Sequence, residues 1–473
     1  MSSVIKFGTS GWRAIIADDF TFPNVRLAVA AIAEHVRGKN PKPVLIVAHD
    51  TRFFAEEFSQ TAAEILREHG IQALLCEGAT PTPTVAYEIR RRKIDGALNF
   101  TASHNPAEYQ GLKFSGSDGG PALPEVTHDI EARAAKLGAR APAKPSDEPF
   151  EKINPRDAYL DRLAKIINFK AIRDAKLNVV TDALHGCAAG YLDRLLADNG
   201  VTVQAMRTNR DVLFDGSGPD VSEENLRPLR DAVLAKKATV GLATDGDADR
   251  FGILDSDGTW MQPNHMIGLL YDYVVETRQW KMPAARSVAT SHLVDAVAKF
   301  HGTTIIQTPV GFKYIGELIE QDKIALGGEE SAGLSIRGHV PEKDGILACL
   351  LIAEMAAVRR APIMEQLRAL FKRVGREYWP LRTNLHLPED VKLRTVERLK
   401  ADFKTFLGRR VATLDRTDGL KIEFDDGSWV LLRLSGTEPL MRVYTEAATS
   451  EAAANLARET QAWVADASAR SGA

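Results

Sequence analysis

A serine and a histidine stand side by side directly after a predicted strand. The apolar run 95–100 predicts a buried strand, and the segment 101–106 (Thr-Ala-Ser-His-Asn-Pro) follows it. Because Asn-Pro favours a turn, we expect the Ser103 hydroxyl to be presented to solvent at the rim of the strand. A hydroxyl with the His104 imidazole beside it can act as a nucleophile. The alternative is a turn serine that only hydrogen-bonds nearby backbone.

Three aspartates alternate in a second loop that also follows an apolar run. Asp245, Asp247 and Asp249 can converge on one hard cation when the loop curls. A calcium loop of the EF-hand kind fails on spacing, because Arg250 takes the sixth position and Ser256 the twelfth. An acidic turn in solvent is the other alternative. Mg²⁺ is commonly held by carboxylates together with substrate phosphate, so the loop predicts a magnesium site beside a fixed arginine charge.

A segment near the C-terminal end carries groups that suit phosphate. It combines two guanidiniums, two hydroxyls and a glycine that frees backbone N–H groups. These residues are Arg433, Ser435, Gly436, Thr437 and Arg442. The alternative is a polar hairpin without a ligand.

Further polar residues suit sugar hydroxyls or a transferring phosphate. Glu329 and Ser331 lie between glycines and carry hydrogen-bonding groups with too little charge to bind phosphate. His339 and Lys343 follow, where a helix N-terminus with acidic capping is the alternative. Lys113, after the serine loop, could reach a transferring phosphate. The whole set predicts a substrate that is phosphorylated at one end and accepts phosphate at the other.

The chemical loops each end a repeated pattern of strands and helices. The pattern runs over 44–100, 177–243 and 287–326. In open α/β sheets ligands bind beyond the strand ends, so three such units suggest one shared cleft. Three independent domains with unrelated loops are the alternative. The segment 138–147, rich in Ala and Pro, predicts a linker after the first unit.

After Arg373 the pattern changes to a small α+β module. Strands are predicted at 383–387, 421–424 and 429–432, with a hairpin turn at 425–428. Flanking helices are predicted at 391–407 and 452–467.

Composition excludes several classes of protein. The chain has 473 residues, 44% hydrophobic and 26% charged, with a formal net charge of −3. That charge argues against a nucleic-acid binder, which would show a basic face. Three widely spaced cysteines imply neither disulfides nor zinc, and no apolar run is long enough for a membrane span. We therefore expect a soluble, cytoplasmic protein.

These motifs resemble those of the α-D-phosphohexomutases, and phosphoglucomutases most of all. The family's phosphoserine, metal, sugar and phosphate loops match 101–106, 245–250, 328–331 and 433–439 in that order. The resemblance covers essentially the whole chain. It implies three related α/β/α domains with mixed, largely parallel sheets and a smaller C-terminal α+β domain, all around one central cleft. The implied boundaries are 1–147, 148–255, 256–373 and 374–473.

The resemblance also implies roles for individual residues. Ser103 would carry a phosphoryl group, and Mg²⁺ would be held by that phosphate with the three loop aspartates. Arg13, Lys113 and Arg250 would surround the transferring phosphoryl group, and His104 or Lys113 would handle the proton of the sugar hydroxyl. The implied substrate-binding residues are Gly311, Lys313, Glu329, Ser331, His339, Lys343, Arg433, Ser435, Gly436, Thr437 and Arg442.

The implied reaction interconverts glucose 1-phosphate and glucose 6-phosphate through a 1,6-bisphosphate, which also serves as activator. Ala332-Gly333 stands where some members that accept mannose carry Gly-His, and Val310 stands where phosphoglucomutases often carry Thr. A phosphomannomutase or phosphoglucosamine mutase is therefore an alternative, and a metal-dependent phosphatase or a sugar-phosphate sensor is a more distant one. We expect small-molecule partners only and a monomer or homodimer.

Overall fold

The computed structural model describes residues 5–138, 148–434 and 440–466. The strands are β1 (Trp12–Ile15), β2 (Val44–His49), β3 (Gln72–Cys76), β4 (Gly96–Phe100), β5 (Tyr109–Ser115), β6 (Glu151–Ile153), β7 (Asn178–Asp182), β8 (Thr202–Met206), β9 (Val240–Thr244), β10 (Phe251–Asp255), β11 (Trp260–Met261), β12 (Ala284–Ser287), β13 (Ile305–Thr308), β14 (Leu326–Glu329), β15 (Gly333–Ile336), β16 (Trp379–His386), β17 (Thr405–Phe406), β18 (Arg409–Asp415), β19 (Leu420–Phe424), β20 (Trp429–Leu434) and β21 (Leu440–Ala447).

The α-helices are α1 (Phe22–Arg37), α2 (Ala55–Glu68), α3 (Thr82–Arg92), α4 (Pro124–Leu137), α5 (Arg156–Ile166), α6 (Phe169–Asp174), α7 (Leu192–Asp198), α8 (Arg227–Lys236), α9 (Pro263–Arg278), α10 (Leu293–Phe300), α11 (Phe312–Glu320), α12 (Gly345–Arg359), α13 (Ile363–Val374), α14 (Glu389–Arg398) and α15 (Ser450–Ala465). Within the described residues, no helix combines the length and the apolar character that a membrane crossing needs.

The chain divides into two compact units. The first comprises Met1–Pro263 with Gly311–Met364, and the second comprises Asn264–Val310 with Glu365–Ala473. Every residue proposed for the phosphoserine, metal and sugar loops lies in the first unit, whereas the proposed phosphate loop lies in the second.

The first unit holds two mixed sheets. One has the strand order β1-β5-β4-β2-β3-β6 and the other β11-β10-β9-β7-β8. In the first sheet β2 pairs in parallel with both β3 and β4, and a large apolar core gathers residues of α1, α2 and α4 against one face. Strands β4 and β9 are buried along their whole length, as their apolar sequences predict. The predicted strand–helix alternation is confirmed in both sheets.

Each chemical loop of the first unit joins two antiparallel strands. The segment 101–108 connects β4 to β5, 245–250 connects β9 to β10, and 330–332 connects β14 to β15. The sequence analysis assigned the strand before each loop but not the strand after it. The strands after these loops carry buried polar side chains such as Lys113 and Asp255, which interrupt the apolar sequence pattern by which a buried strand is predicted.

The second unit is built around an antiparallel sheet. Its strand order is β16-β21-β20-β19-β18-β17, and α15 packs on the core that fills one face. The third predicted repeat was expected to start at 287, whereas its first strand, β12, spans Ala284–Ser287. The predicted helix 391–407 is wrong beyond Arg398, where α14 ends. Phe403 and Phe406 turn inward and pack on Trp463 instead of continuing the helix.

Candidate active site

Ser103 lies in the loop after β4 and is almost completely buried, with 1% of its surface exposed. Its Oγ donates a hydrogen bond to Asp245 Oδ2 at 2.6 Å. The expectation of a solvent-exposed hydroxyl was wrong, because the aspartate loop after β9 covers it. Gly246 makes this approach possible, since a Cβ there would come within 2.6 Å of the Ser103 carbonyl oxygen.

Asp245, Asp247 and Asp249 form a buried carboxylate cluster. At most 1% of each residue is exposed, and one oxygen from each lies within 4.8 Å of the others. Asp247 Oδ1 is buried and has no hydrogen-bond partner among the described residues. A set of converging carboxylate oxygens with one unsatisfied oxygen fits Mg²⁺, which prefers such ligands.

The neighbouring charges act differently on these carboxyls. Burial raises the pKa of Asp245 well above its usual range, and the Asp249 and Asp247 carboxylates add to this rise. Burial would also raise the pKa of Asp249, but the Lys113 and Lys343 ammoniums outweigh it and hold that pKa well below its usual range. Two carboxyls of one cluster therefore have pKa values shifted in opposite directions.

Two buried lysines supply the compensating positive charge. Lys113 Nζ lies 2.6 Å from Asp247 Oδ2 and 2.9 Å from Asp249 Oδ2. Lys343 Nζ lies 3.0 Å from Asp249 Oδ2. The Lys343 side chain reaches this position across Gly333, where a Cβ would come within 2.2 Å of its Cδ. Lys343, expected among the substrate-binding residues, thus forms an ion pair with the carboxylate cluster.

Two supporting residues behind the cluster were missed by the sequence analysis. Thr82 Oγ1 donates to Asp247 Oδ2 at 2.5 Å and accepts from Asn99 Nδ2 at 2.8 Å. Both residues are buried. Thr82 opens α3 just beyond the end of β3, and this location at the C-terminal edge of a parallel strand is the signal that could have revealed it.

Arg13 and Arg250 form a cationic side of the same site, and His104 lies beside them. Arg13 Nη1 donates to Asn105 Oδ1 at 2.7 Å, and the Arg250 backbone N–H donates to Asp245 Oδ1 at 3.0 Å. Burial lowers the pKa of Arg13 to about 10, and Arg250 contributes to that shift. Burial, then Arg250 and Arg13, hold the pKa of His104 well below its usual range. The imidazole is therefore neutral, and its buried Nδ1 lacks a partner among the described residues.

Most residues proposed for the sugar lie in the turn between β14 and β15 and at the start of α11. Glu329 Oε1 accepts a hydrogen bond from Gly311 N at 2.6 Å, and Ser331 occupies the turn between β14 and β15. Burial, then the neighbouring Glu330 carboxylate, raise the pKa of Glu329 to about 7. Lys313 lies in the first turn of α11, and its Nζ is 5.4 Å from the centre of the Tyr314 ring.

His339 belongs to a capping network. Its Nε2 lies 2.7 Å from Asp344 Oδ2, which also accepts from the Tyr159 hydroxyl at 2.7 Å. The other Asp344 oxygen accepts from Leu347 N at 2.8 Å and caps α12. The acidic helix cap considered for this segment is therefore present. His339 and Asp344 are both buried.

The second unit contains the proposed phosphate loop. Arg433 and Arg442 face each other directly in the β20–β21 pair, and Arg433 Nε lies 2.8 Å from Asp418 Oδ2. Two like charges opposite each other on one sheet are unfavourable without compensating negative charge, and Asp418 supplies such charge at Arg433. Ser435, Gly436 and Thr437 lie outside the described residues.

Most of the chain matches four consecutive domain descriptions of one family. These are phosphoglucomutase/phosphomannomutase alpha/beta/alpha domain I at residues 4–141, domain II at 157–258, domain III at 262–374 and the C-terminal domain at 383–462. The chain belongs to the phosphoglucomutase/phosphomannomutase family. The resemblance seen in the motifs is thereby confirmed, as is the fold of three α/β/α domains with a smaller C-terminal domain.

Known relatives align with this family member from end to end. A phosphoglucomutase/phosphomannomutase of Thermococcus kodakarensis is 29% identical over 94% of this chain and 95% of its own. A probable phosphoglucosamine mutase of Pyrococcus abyssi is 30% identical over 98% of each chain. The crystal structure of a putative phosphomannomutase from Thermus thermophilus superposes with a TM-score of 0.86 at 30% identity, covering 98% of this chain and 100% of that one. The family consists of phosphohexomutases, so this protein is an isomerase.

Proposed function

We propose that this phosphohexomutase interconverts glucose 1-phosphate and glucose 6-phosphate, with Ser103 as the phosphoryl carrier and a 1,6-bisphosphate as intermediate. The observation that carries the proposal is the 2.6 Å hydrogen bond from Ser103 Oγ to Asp245 Oδ2 inside a buried cluster of carboxylates and ammoniums. A serine in such a water-poor site can hold a phosphoryl group without losing it to hydrolysis.

The chain's own residues suit both transfers. In the first, the bond from phosphorus to Ser103 Oγ breaks while a bond to the sugar 6-hydroxyl forms, and the hydroxyl proton passes to a base. His104 Nδ1 supports that role, because it is buried without a hydrogen-bond partner in the described part of the chain. Lys113 is held by two carboxylates, which supports a purely electrostatic role. After the bisphosphate reorients, Ser103 recovers the phosphoryl group from C1.

Mg²⁺ is the proposed cofactor, held by Asp245, Asp247 and Asp249 with the phosphoserine. When bound, it supplies positive charge that stabilises the transferring phosphoryl oxygens. Arg13 and Arg250 would orient the same oxygens. The Nε of Arg250 supports this role, because it makes no hydrogen bond among the described residues and its nearest carboxylate, Asp249 Oδ1, lies 3.9 Å away.

The remaining proposed contacts hold the sugar and its far phosphate. Glu329, Ser331, Gly311 and Lys313 would surround the hexose, whereas the buried His339 would support the cap of α12. Arg433 and Arg442, with Ser435, Gly436 and Thr437, would hold the phosphate that is not reacting. The opposed guanidiniums of β20 and β21 support an anion at that place.

The relatives also support a second choice of hexose. The Pyrococcus abyssi relative is named a probable phosphoglucosamine mutase, and the Thermus thermophilus structure a putative phosphomannomutase. Both alternatives use the same Ser103 chemistry and differ only in the group accepted at C2. The cytoplasmic location and the monomeric or homodimeric state stay predictions.

The test compares Ser103→Ala with Ser59→Ala, a buried serine whose Oγ bonds only the α2 carbonyl of Ala55 among the described residues. We expect turnover of glucose 1-phosphate to fall by about 1,000-fold or more in Ser103→Ala and to stay near normal in Ser59→Ala. Normal turnover by Ser103→Ala would refute the carrier role. A comparison of kcat/KM on glucose, mannose and glucosamine 1-phosphates ranks the hexoses. Steady release of inorganic phosphate would instead indicate a phosphatase.

A further inference from the structure

Arg52 lies buried beneath the Ser103 loop and touches none of the proposed substrate contacts. It follows β2, and none of its surface is exposed. An arginine side chain carries five N–H donors in a planar fork, and all of them are used here. The acceptors are Asp50 Oδ2 at 3.0 Å and the carbonyl oxygens of Ser103 at 2.7 Å, Asn105 at 2.6 Å, Pro106 at 2.7 Å and Tyr109 at 3.0 Å.

These contacts fix an unfavourable backbone conformation at the carrier serine. Ser103 has φ +52°, in the left-handed region that non-glycine residues rarely occupy. Its backbone N–H donates to Thr101 Oγ1 at 2.9 Å, and its carbonyl oxygen accepts from Arg52. Because both polar atoms of the Ser103 backbone are bound, the direction of its Oγ toward Asp245 is set by the loop.

The charge of Arg52 is already neutralised, which separates it from a phosphate-binding arginine. Asp50 accepts from both the backbone N–H and the Nε of Arg52, and only 1% of Asp50 is exposed. Arg210 closes the outer side by donating to the carbonyl oxygens of Thr51 and Arg52 at 3.0 and 3.1 Å. The guanidinium of Arg52 therefore binds backbone, not substrate.

We propose that Arg52 is the positioning residue of the phosphoryl carrier: it holds the left-handed Ser103 backbone so that Oγ stays at the carboxylate cluster. The inference rests on the proposed role of Ser103. A displacement of about 1 Å at a reacting group can cost about 100-fold in rate. Loss of Arg52 should thus lower kcat about 100-fold and leave KM within about threefold, because the substrate contacts remain.

The experiment compares Arg52→Lys with Arg207→Lys. Arg207 is also a largely buried arginine, and its Nε donates to Asp182 Oδ1 at 2.9 Å. It makes no hydrogen bond to the Ser103 loop among the described contacts. Lysine keeps the charge but offers three donors from one atom, too few for the acceptors of Arg52. The readouts are kcat, KM and the rate at which Ser103 is phosphorylated by glucose 1,6-bisphosphate, followed by intact mass.

We expect phosphorylation of Ser103 and kcat to fall about 100-fold in Arg52→Lys and by less than about threefold in Arg207→Lys, at equal folded fractions. Equal losses in both variants, or normal phosphorylation in Arg52→Lys, would overturn the inference. In Arg52→Ala, added guanidinium ion should restore phosphorylation, and failure to do so in folded protein also counts against it.

A variant on the outer side covers the case in which the Arg52 variants do not fold. Arg210 is 45% exposed, and Arg210→Ala should lower kcat about tenfold at constant KM by freeing the Arg52 carbonyl. An unchanged kcat would overturn the inference. Ser103→Ala separates the two levels: if it retains turnover, the proposed function fails, whereas an inactive Ser103→Ala with a fully active Arg52→Lys defeats only the positioning role.

Discussion

Lys113 in the first unit and Lys421 in the second are both buried, yet their surroundings shift their pKa values in opposite directions. Burial lowers the pKa of each, but Asp247 and Asp249 reverse the effect at Lys113 and raise its pKa. At Lys421 burial dominates, the Arg286 charge adds to it, and the pKa falls to about 7. A buried ammonium thus keeps its charge only where carboxylates converge on it.

The partners of Lys421 are mostly uncharged. Its Nζ lies 2.7 Å from His292 Nε2 and 3.1 Å from the Val288 carbonyl oxygen, and it stands 4.1 Å from the centre of the Trp429 ring. Of the charged groups that also act on its pKa, Glu423 Oε1 lies 3.9 Å from Nζ, and the others are Arg286, Glu446 and Asp295. Such a lysine supports packing of the second unit, whereas Lys113 supports the carboxylate cluster that is proposed to bind phosphate and metal.

Among changes to the buried and exposed lysines, the largest effect should come from Lys113→Met. It leaves Asp247 and Asp249 without their nearest ammonium, and breaking a buried ion pair costs about 3–5 kcal/mol. Turnover of glucose 1-phosphate should fall at least about 100-fold, as for loss of one electrostatic donor. Urea unfolding and steady-state kinetics measure both. Lys421→Met is the control, and equal activity losses in the two variants would remove the contrast between the sites.

Metal binding should also distinguish the sites. Mg²⁺ at about 100 times its Kd should stabilise the first unit by about 2.7 kcal/mol, measured as a rise in Tm. Asp247→Asn should abolish this rise. Asp215→Asn should keep it, because Asp215 belongs to the separate His185–Asp211–Asp215 group. If Asp247→Asn responds to Mg²⁺ like the unmodified protein, the carboxylate cluster is not the magnesium site.

A smaller effect follows from the pKa of Lys421. Below pH 7 the amine is protonated in both the folded and unfolded states, and the full cost of its burial is present. Between pH 7 and the unfolded pKa near 10.5 only the unfolded state stays protonated, so stability rises with pH. The Tm of the unmodified protein minus that of Lys421→Met should therefore increase from pH 6.5 to 9.5. A constant difference would mean that Lys421 does not titrate in this range.

The smallest effect is expected for an exposed lysine. Lys400 lies 2.6 Å from Glu397, and both side chains are largely exposed, at 66% and 74%. Water and salt screen such a pair, so Lys400→Met should change neither Tm nor turnover measurably. A clear fall in the Tm of Lys400→Met would show that the distance between the charges, and not their burial, decides how much these lysines contribute to stability.

Residues at strand ends were predictable from the sequence. Ser103 and the aspartate loop both follow fully apolar strands, and the rule that ligands bind beyond such strands identified them. The burial of Ser103 was not predictable, because it depends on Asp245, 142 positions away in the sequence. Arg52 and Thr82 were missed for a related reason. Arg52 binds backbone carbonyl oxygens of the Ser103 loop and Thr82 binds Asp247 Oδ2, and the local sequence spacing encodes neither contact.

The C-terminal module shows another reason for failure. The sequence 391–407 has helical spacing, but Phe403 and Phe406 find a better core beneath α15. Tertiary burial of two aromatic rings outweighs the local preference for helix.

The positive φ of Ser103 also bears on which amino acid can serve as carrier. Threonine has the same hydroxyl, but its Cβ bears a second heavy atom, and branched side chains are genuine outliers in that backbone region. Stereochemistry therefore favours serine over threonine in the proposed carrier role.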